Sequence, residues 1–373
     1  MSLEIIKPGS NYNFIGNRYK AFVISGLLIL ASIVSVIYHK GLNLGVDFKG
    51  GLLLQFSLTD DPGAEALREI FAEGGFTISS LQNFGEDGKE YLVNVSEGPT
   101  GDGEKLSESA LALLNERFGE GKINIDREEM VGPKVGADLR QKALYAIYYS
   151  ILIIIIYISG RFEQKWGTSA IFVAILLGVI YLVGLFGVGV GILILVALVV
   201  TLITCYMLKF SFALGGIIAL IHDVVITTGI FSLLNKEITL SFVAAILTII
   251  GYSLNDSIIV FDRIRENTQK NRKGDLATLI NKSINETLSR TILTSGTTIL
   301  ALLSLYFLGG PVNRDFALAL LIGVVVGTLS SIFLASPILL LWEKKTPELP
   351  AKAKAAGDLA LKSGKAKLAK GDA

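Results

Sequence analysis

The sequence predicts a mainly α-helical, multi-pass membrane protein with one small α+β domain outside the membrane. The chain has 373 residues, of which 51% are hydrophobic. Its mean hydropathy of +0.58 is too high for a soluble protein of this length. Uncharged runs long enough to span a bilayer recur along the chain, and one acidic region interrupts them. These runs account for about eight membrane helices, among them an inserted hairpin.

The composition argues against several classes of function. A net charge of +1 gives no general attraction to nucleic acid, so no specific nucleic-acid partner is expected. The single cysteine, Cys205, cannot form an intramolecular disulfide. Two histidines leave almost no material for a histidine-based metal site or a catalytic triad, and no GxxxxGK[ST] nucleotide motif is present. We therefore expect neither an enzyme nor a bound cofactor.

The first apolar run, residues 21–38, is predicted to be a retained membrane anchor. Lys7, Arg18 and Lys20 precede it, and no small-residue cleavage site follows it. Because basic residues before a first span favour the inner side, residues 1–20 are expected to be cytoplasmic.

Residues 41–139 are predicted to form an extracytoplasmic domain with the element order β-α-β-β-α-β. Residues 40–139 hold 19 acidic and 9 basic side chains, a balance of −10, which fits the outer side. Strands are predicted by alternating apolar residues, and helices by apolar residues at helical spacing. The strands lie near Leu54, Phe76, Tyr91 and Ile123, and the helices near Leu67 and Leu106. This order is that of a ferredoxin-like domain.

Residues 143–342 are predicted to form the membrane bundle, with a helical hairpin inserted at 166–208. The uncharged run at 168–208 holds 41 residues, twice the ~20 that one span needs. Glycines near its middle suit a turn, and Lys165 and Lys209 flank the run, so both ends are expected in the cytoplasm. A re-entrant segment is the alternative.

The rest of the bundle consists of single spans near 143–159, 211–234, 238–260, 291–308 and 316–341. The segment 261–290 has 7 basic and 4 acidic residues and is expected to be cytoplasmic. Within it, apolar residues recur every four positions after the candidate N-cap Asp275, which predicts an amphipathic helix along the membrane surface. The Lys/Ala-rich tail, 343–373, is expected to be cytoplasmic and attracted to anionic lipid or ribosomal RNA.

Ionisable residues interrupt the predicted spans. Asp223 lies twelve residues into its span, about 18 Å deep and near the midplane. Asp256 follows Asn255 in the inner half of the next span, and Arg290 precedes the span after that. A stripe of hydroxyl-bearing residues borders Arg290 on one face of its helix. The stripe consists of Thr287, Thr291, Thr294, Ser295 and Thr298.

Two interpretations of these charges are open. A charge near the bilayer centre costs roughly 2.5–3.5 kcal/mol, so each side chain needs a partner or water. In the first interpretation, Asp256 and Arg290 form a structural ion pair and Asp223 is a neutral, hydrogen-bonded acid. In the second, the acids bind and release protons under the influence of Arg290, and helix packing changes. His222 either packs with a hydrogen bond or relays protons, and neighbouring helical side chains point about 100° apart.

Five motifs resemble, in order, those of the SecD/SecF family of protein-export membrane proteins, relatives of the RND superfamily. The motifs are LGVDFKGG, VGPKVGADLRQKA, IHDVVIT, IGYSLNDSIIVFDRIREN and SRTILTSGTT. The resemblance is to the SecF members and extends over residues 12–342. It implies an RND-like bundle in the bacterial inner membrane, with SecD, the SecYEG translocon and YajC as partners. It also implies that the proton-motive force drives movement of an unfolded polypeptide.

The resemblance assigns roles to individual residues. Asp256 matches the essential intramembrane aspartate of the SecF pattern, Arg290 its arginine, and Asp223 the aspartate of its HDV motif. Asn255, His222 and the hydroxyl stripe are expected to support these three. Two other functions stay open: a non-catalytic scaffold of the translocon, and a small RND-type proton-coupled exporter. The small outer domain argues against the exporter.

The sequence departs from the family pattern in one place. Members normally pass from RFE almost directly to FALGAIIALIHD and have six spans. Here about 46 residues, 164–209, separate the matching segments, and the inserted hairpin raises the number of spans to eight. An even number of inserted spans keeps every later span in its usual orientation.

The LGVDFKGG motif is predicted to be a structural turn between the first span and the outer domain. Gly45, Gly50 and Gly51 allow positive φ and close approach of the backbone. Contact of Asp47 and Lys49 with the substrate is the alternative.

Overall fold

The computed structural model describes residue 6 and residues 10–84, 88–99, 105–119, 121–271 and 274–343. Part of the N-terminal segment and nearly all of the predicted Lys/Ala-rich tail lie outside the described residues. The first membrane helix is α1 (Arg18–Tyr38), and a single turn, α2 (Val46–Lys49), leads into the domain.

The domain is a four-stranded antiparallel sheet with two helices, as the sequence predicts. Its elements are β1 (Gly51–Leu58), α3 (Ala64–Glu73), β2 (Thr77–Phe84), β3 (Glu90–Glu97), α4 (Leu106–Phe118) and β4 (Ile123–Val131). The strand order β2-β3-β1-β4, with every neighbouring pair antiparallel, is that of a ferredoxin-like domain. Alternate residues of β1, such as Leu54 and Phe56, are fully buried against Leu67 and Phe71 of α3. The core therefore lies between the sheet and its helices.

The bundle continues with long apolar helices. They are α5 (Pro133–Glu163), α6 (Trp166–Gly184), α7 (Val190–Met207), α8 (Ser211–Leu233), α9 (Leu240–Lys270), α10 (Leu276–Leu308) and α11 (Gly310–Ser330), which passes through a π-helical segment (Ser331–Ala335) into α12 (Ser336–Glu343). Within the described residues, eight helical segments are long and apolar enough to cross a membrane. The chain is a multi-pass membrane protein, and α6 and α7 form the predicted hairpin.

Helices α8, α9 and α11 form the centre of the bundle. The other helices surround them, and most of the apolar surface of α1, α6, α7 and α10 is exposed. Such a surface suits lipid or a partner in the membrane. The inserted hairpin packs on α5 and α8, and its two ends are joined by a hydrogen bond from Lys165 Nζ to Leu208 O at 2.9 Å.

The structure differs from the prediction for segment 261–290. Helix α9 continues to Lys270, and α10 is one helix of 33 residues from Leu276 to Leu308. The amphipathic segment therefore extends a span instead of lying along the membrane surface. Asp275 caps α10 as predicted, accepting from Thr278 N at 3.0 Å, and no Gly or Pro interrupts the helix before the membrane. Its buried residues, such as Ile280 and Ile284, pack in the main core instead of on lipid.

The LGVDFKGG motif, residues 44–51, is the GG segment, and it connects the domain to the bundle. Asp47 Oδ2 accepts from Leu240 N at the start of α9 at 2.7 Å, and Leu44 forms a β-bridge with Ile238. Gly50 and Gly51 have φ of +83° and +134°, as predicted. Gly45 has a φ of −73°, so it meets only the close-approach part of the prediction: a Cβ there would lie 2.9 Å from Thr239 Cγ2.

Candidate functional site

The carboxyl group of Asp223 is held inside the bundle by hydroxyl groups from two other helices. It lies on α8 and is completely buried. Its Oδ2 accepts hydrogen bonds from Ser253 Oγ of α9 at 2.6 Å and from Ser330 Oγ of α11 at 2.8 Å. Because lipid offers no hydrogen-bond partners, a polar group at this depth must find them in the protein. Asp223 thereby connects the three central helices.

Asp256 is equally buried but has fewer partners. Its Oδ1 has no hydrogen-bond partner among the described residues, and its Oδ2 accepts one long bond, 3.4 Å, from Ser295 Oγ of α10. Ser295 Oγ lies 2.7 Å from Thr328 Oγ1 of α11. Thr328 gives its own proton to Val324 O, also at 2.7 Å. The single proton of Ser295 therefore has two competing acceptors.

The two carboxyl groups belong to one polar layer between α9 and α11. Ser253 and Asp256 are three residues apart on α9 and share a face. On α11, Thr328 follows Gly327, whose missing side chain lets the helices approach. A Cβ at Gly327 would lie 2.9 Å from Ser253 Cβ and 3.4 Å from Asp223 Oδ2. The close packing that unites both sites thus depends on this glycine.

Arg290 does not pair with Asp256. Its side chain is exposed, and no carboxylate among the described residues lies within 4 Å of it. The structural ion pair of the first interpretation is therefore absent from this structure. Asn255 is also exposed, on α9, and Thr297 is exposed on α10. The two helices thus present polar groups on a surface outside the bundle core.

The predicted hydroxyl stripe of α10 divides into two sets. Three members are buried in the bundle: Thr287, Thr291 and Ser295. Two are half-buried and donate to carbonyl groups of their own helix: Thr294 and Thr298. In the first set, Thr291 Oγ1 is buried and has no partner among the described residues. Among the described residues, buried polar atoms without a hydrogen-bond partner therefore occur on both α9 and α10. They are Asp256 Oδ1 and Thr291 Oγ1.

His222 contacts Asp223, contrary to the expectation that the two side chains diverge. The ring Nδ1 lies 2.9 Å from Asp223 Oδ1. The Cβ directions of neighbouring residues do diverge on a helix, but the imidazole is long enough to fold back. His222 Nε2 is buried and has no partner within the described part of the chain. Both proposed roles, packing and proton relay, are compatible with this geometry.

Three residues of the site were missed by the sequence analysis: Ser253, Thr328 and Ser330. Single hydroxyl residues within apolar spans carry little signal, since they often bond only to their own helix. One signal was available, because a cluster of hydroxyl residues, TLSS, lies in the last span. The π-helical segment begins at Ser331, and such segments are frequent at functional sites.

The described residues contain no group of three or more His, Cys, Asp or Glu side chains suited to a metal ion. A cavity of about 950 Å³ lies at the end of the bundle opposite the domain. Its lining includes Arg18, Asn281, Lys282 and Glu286. Neither buried carboxyl group faces this cavity, so the chemistry of the site lies between the helices.

Ionisable groups held between membrane helices are typical of proteins that move ions, protons or substrates. The fold and the site together define a multi-pass membrane protein of this transport type, with a ferredoxin-like domain after its first span. The family described as "Protein export membrane protein SecD/SecF, C-terminal" matches residues 111–206 and 188–345, and the "SecD/SecF GG Motif" matches residues 35–61. The chain belongs to the SecD/SecF family, among its SecF members.

Similar proteins cover nearly the whole chain. The protein translocase subunit SecF of Calditerrivibrio nitroreducens is 39% identical over 341 residues, covering 91% of this chain and 96% of the relative. That of Escherichia coli O157:H7 is 39% identical over 331 residues, covering 88% and 87%.

A solved structure shares the fold. The crystal structure of SecDF from Thermus thermophilus, titled a translocon-associated membrane protein, superposes with a TM-score of 0.69 at 33% identity. It covers 90% of this chain, which in turn spans 39% of the SecDF chain. A second SecDF structure, titled the super-membrane-facing form, gives a TM-score of 0.54 at 32% identity.

Proposed function

We propose that this chain works beside SecD in the Sec export machinery, where proton movement through the paired subunits promotes late steps of polypeptide translocation. SecYEG and YajC are the further partners, and the substrate is an unfolded polypeptide. The proton gradient is the energy source, and the chain has no enzymatic activity of its own. Family membership supports the pathway, and the buried carboxyl of Asp256 supports the mechanism.

In this proposal, protonation of Asp256 changes the hydrogen bonds that it shares with Ser295 and, through Ser295, with Thr328. When Asp256 is ionised, Ser295 must donate its proton to the carboxylate and leave Thr328 Oγ1. When Asp256 is protonated, it can donate to Ser295 Oγ, and Ser295 then donates to Thr328 at their 2.7 Å separation. One proton therefore changes which contacts join α9, α10 and α11. Moving one charge through 100 mV supplies about 2.3 kcal/mol, enough to drive such an exchange.

The exposed polar surface of α9 and α10 supports SecD as the membrane partner. Asn255 and Arg290 are exposed there, next to helix surfaces that are otherwise apolar. A polar group facing lipid costs free energy, so a partner subunit that supplies hydrogen bonds is the favourable occupant. In this proposal Arg290 contacts Asp256 only in a later state of the cycle, when the helices have shifted.

The distribution of charge supports an inner-membrane topology with cytoplasmic termini. The N-terminal segment lies against the start of α10, where Phe14 N donates to Asn281 Oδ1 at 2.9 Å. Arg161 and Asp262 form an ion pair at the same end of the bundle, 2.6 Å apart. The basic segments thus share one end, which the positive-inside tendency places in the cytoplasm. The acidic ferredoxin-like domain is then extracytoplasmic, where it meets the emerging polypeptide.

The test is the substitution Asp256→Asn in cells that depend on this chain, with maturation of a secreted protein followed by pulse-chase labelling. Loss of one coupled proton removes about 2.3 kcal/mol per 100 mV, so we expect late export to slow by up to roughly fifty-fold. Asp262→Asn is the matched control, because Asp262 lies six residues further along α9 but is only half-buried and is paired with Arg161.

The complex with SecD must be recovered from the same cells. A purely structural role predicts that Asp256→Asn acts only by reducing assembly, in proportion to the complex lost. Normal export by an assembled Asp256→Asn complex would refute the proton role.

A further inference from the structure

The turn between α8 and α9 carries a carboxyl group that reaches into the outer domain. Glu237 lies in this turn, and its Oε2 accepts from Asn94 Nδ2 of β3 at 2.5 Å. Asn94 is buried in the sheet at 5% exposure, and its Nδ2 also donates to Ser80 Oγ of β2 at 3.0 Å. This contact joins the domain to the bundle through side chains that are 143 residues apart.

Two oxygen atoms at this contact have no hydrogen-bond partner among the described residues. They are Glu237 Oε1 and Asn94 Oδ1, and both are buried. Both are acceptors when Glu237 is ionised, and leaving buried acceptors without a hydrogen bond is unfavourable. A proton on Oε1 resolves this, because a carboxylic acid and an amide can form two antiparallel hydrogen bonds in a ring. The bond from Asn94 Nδ2 to Glu237 Oε2 would supply one half of that ring.

We propose that Glu237 and Asn94 form a proton-operated latch that holds the outer domain on the bundle. With a proton bound, Glu237 donates through Oε1 to Asn94 Oδ1 and accepts through Oε2 from Asn94 Nδ2. Without it, the bond from Asn94 Nδ2 to Oε2 remains, but neither Oε1 nor Asn94 Oδ1 has a hydrogen-bond partner among the described residues. The latch therefore closes when protons are abundant and weakens when they are scarce.

The charges around the latch do not cancel this preference. Lys49 of α2 faces Glu237 and favours its ionised form, whereas Asp315 of α11 opposes it. Asp315 is itself paired with Lys236, whose Nζ lies 2.8 Å from its Oδ1. Asp47 also lies nearby, bound to Leu240 N. Burial raises the pKa of Glu237 above its ordinary value, while bonds from Ser80 and Asn94 and the charge of Lys49 lower it less.

The direction of the pH dependence follows from this raised pKa. Since the latched state binds the proton more tightly than the open state, latching is complete at pH below the ordinary carboxyl range. It weakens as the pH rises through the raised pKa of the latched state. Between the two pKa values, the ratio of latched to open domain falls by up to about tenfold per pH unit. The inference rests on the proposed function in one respect. That proposal assigns the domain to the extracytoplasmic side, so the pH of that side would act on the latch.

The test measures the seating of the domain directly, in the full chain bound to SecD in nanodiscs. Spin labels on cysteines introduced at Asp126 of the domain and Asn313 at the start of α11 report their separation by double electron–electron resonance. Both positions are exposed, and the native Cys205 is fully buried. We expect one narrow distance at pH 5 that broadens and lengthens at pH 8.

Two variants make the result specific. Glu237→Gln keeps the shape of the protonated acid and offers an amide donor to Asn94 Oδ1, so the narrow distance should persist at both pH values. Asn94→Leu removes both partners and should give the broad distribution at both. Glu97→Gln is the matched control, since Glu97 is an exposed carboxyl on the same strand, and it should behave as the wild type.

Equal distributions for the wild type at pH 5 and pH 8 would overturn the latch, and so would an unchanged pH response in Glu237→Gln. No export takes place in this measurement. Asp256→Asn keeps the latch, and its distance distribution should still broaden between pH 5 and pH 8, so failure of the latch and failure of proton coupling at Asp256 are distinguishable.

Discussion

Substitution of Gly327 tests whether the two buried carboxyl sites depend on close packing of α9 and α11. In Gly327→Ala, the new Cβ would lie 2.9 Å from Ser253 Cβ and 3.4 Å from Asp223 Oδ2. Ser253 Cβ is fixed to its backbone and cannot rotate away, so α9 and α11 must separate. Overpacking of this kind costs about 1–3 kcal/mol. The displaced Ser253 hydroxyl also weakens its 2.6 Å bond to Asp223.

Gly178→Ala provides the matched control. Gly178 lies within α6, and a Cβ there would meet no atom within 4 Å. Both substitutions gain about 1 kcal/mol of helix propensity, because alanine loses less backbone entropy than glycine. The difference in stability between the two variants therefore isolates the packing cost of about 1–3 kcal/mol.

The assay is thermal unfolding of the purified complex with SecD, followed by tryptophan fluorescence, together with export in cells. At roughly 2–4 °C per kcal/mol, Gly327→Ala should melt several degrees below Gly178→Ala and should slow export. Equal melting temperatures and equal export for the two variants would refute the argument that this glycine sets the spacing of the site.

Three further outcomes are expected in the outer domain. Phe71→Ala removes a fully buried ring and should cost about 3–5 kcal/mol, so limited proteolysis should cleave the domain and leave the bundle intact. The bond from Tyr91 lowers the pKa of Asp61, so the resulting stability is present at neutral pH and lost as pH falls through that lowered pKa. Tyr91→Phe should flatten this acid dependence, measured by hydrogen exchange of β1–β4. Burial raises the pKa of Tyr91 to about 12, so ultraviolet difference spectra against Tyr91→Phe should show its phenolate only near that pH.

Much of the fold follows from patterns that are local in sequence. Alternation in β1 and helical spacing in α3 each specify which face is buried, and the ferredoxin-like order follows from the element sequence. The hairpin at 166–208 was predictable because its length, glycines and flanking lysines agree. The continuation of α9 to Lys270 was not predictable from the sequence, because charged residues mark the edge of the membrane but do not end a helix. A helix ends at a cap or a breaker, and these occur only near Asn271 and Asp275.

The candidate site was predictable only in part. Asp223 and Asp256 are conspicuous because a carboxyl group in an apolar run is costly. Their partners are not conspicuous, because Ser253, Ser330 and Thr328 reach them from other helices. A single sequence does not show which of its many serines and threonines will face a given carboxyl group. For the same reason Asn94 was not identified from the sequence. It is an ordinary strand residue, and its amide is important only because it contacts Glu237, which is distant in the chain.

Helix α9 connects the two proton-binding positions that these proposals assign. It begins at Leu240, whose N–H is held by Asp47 of the GG segment at 2.7 Å, directly after the turn that carries Glu237. Asp256 lies sixteen residues further along the same helix, about 24 Å away. The 31 residues of α9 contain no proline, so a tilt forced by new hydrogen bonds at Asp256 is carried to Leu240 with little loss. If both proposals hold, a proton bound at Asp256 would shift the domain that is fastened at that end, and a proton bound at Glu237 would determine how firmly the domain follows.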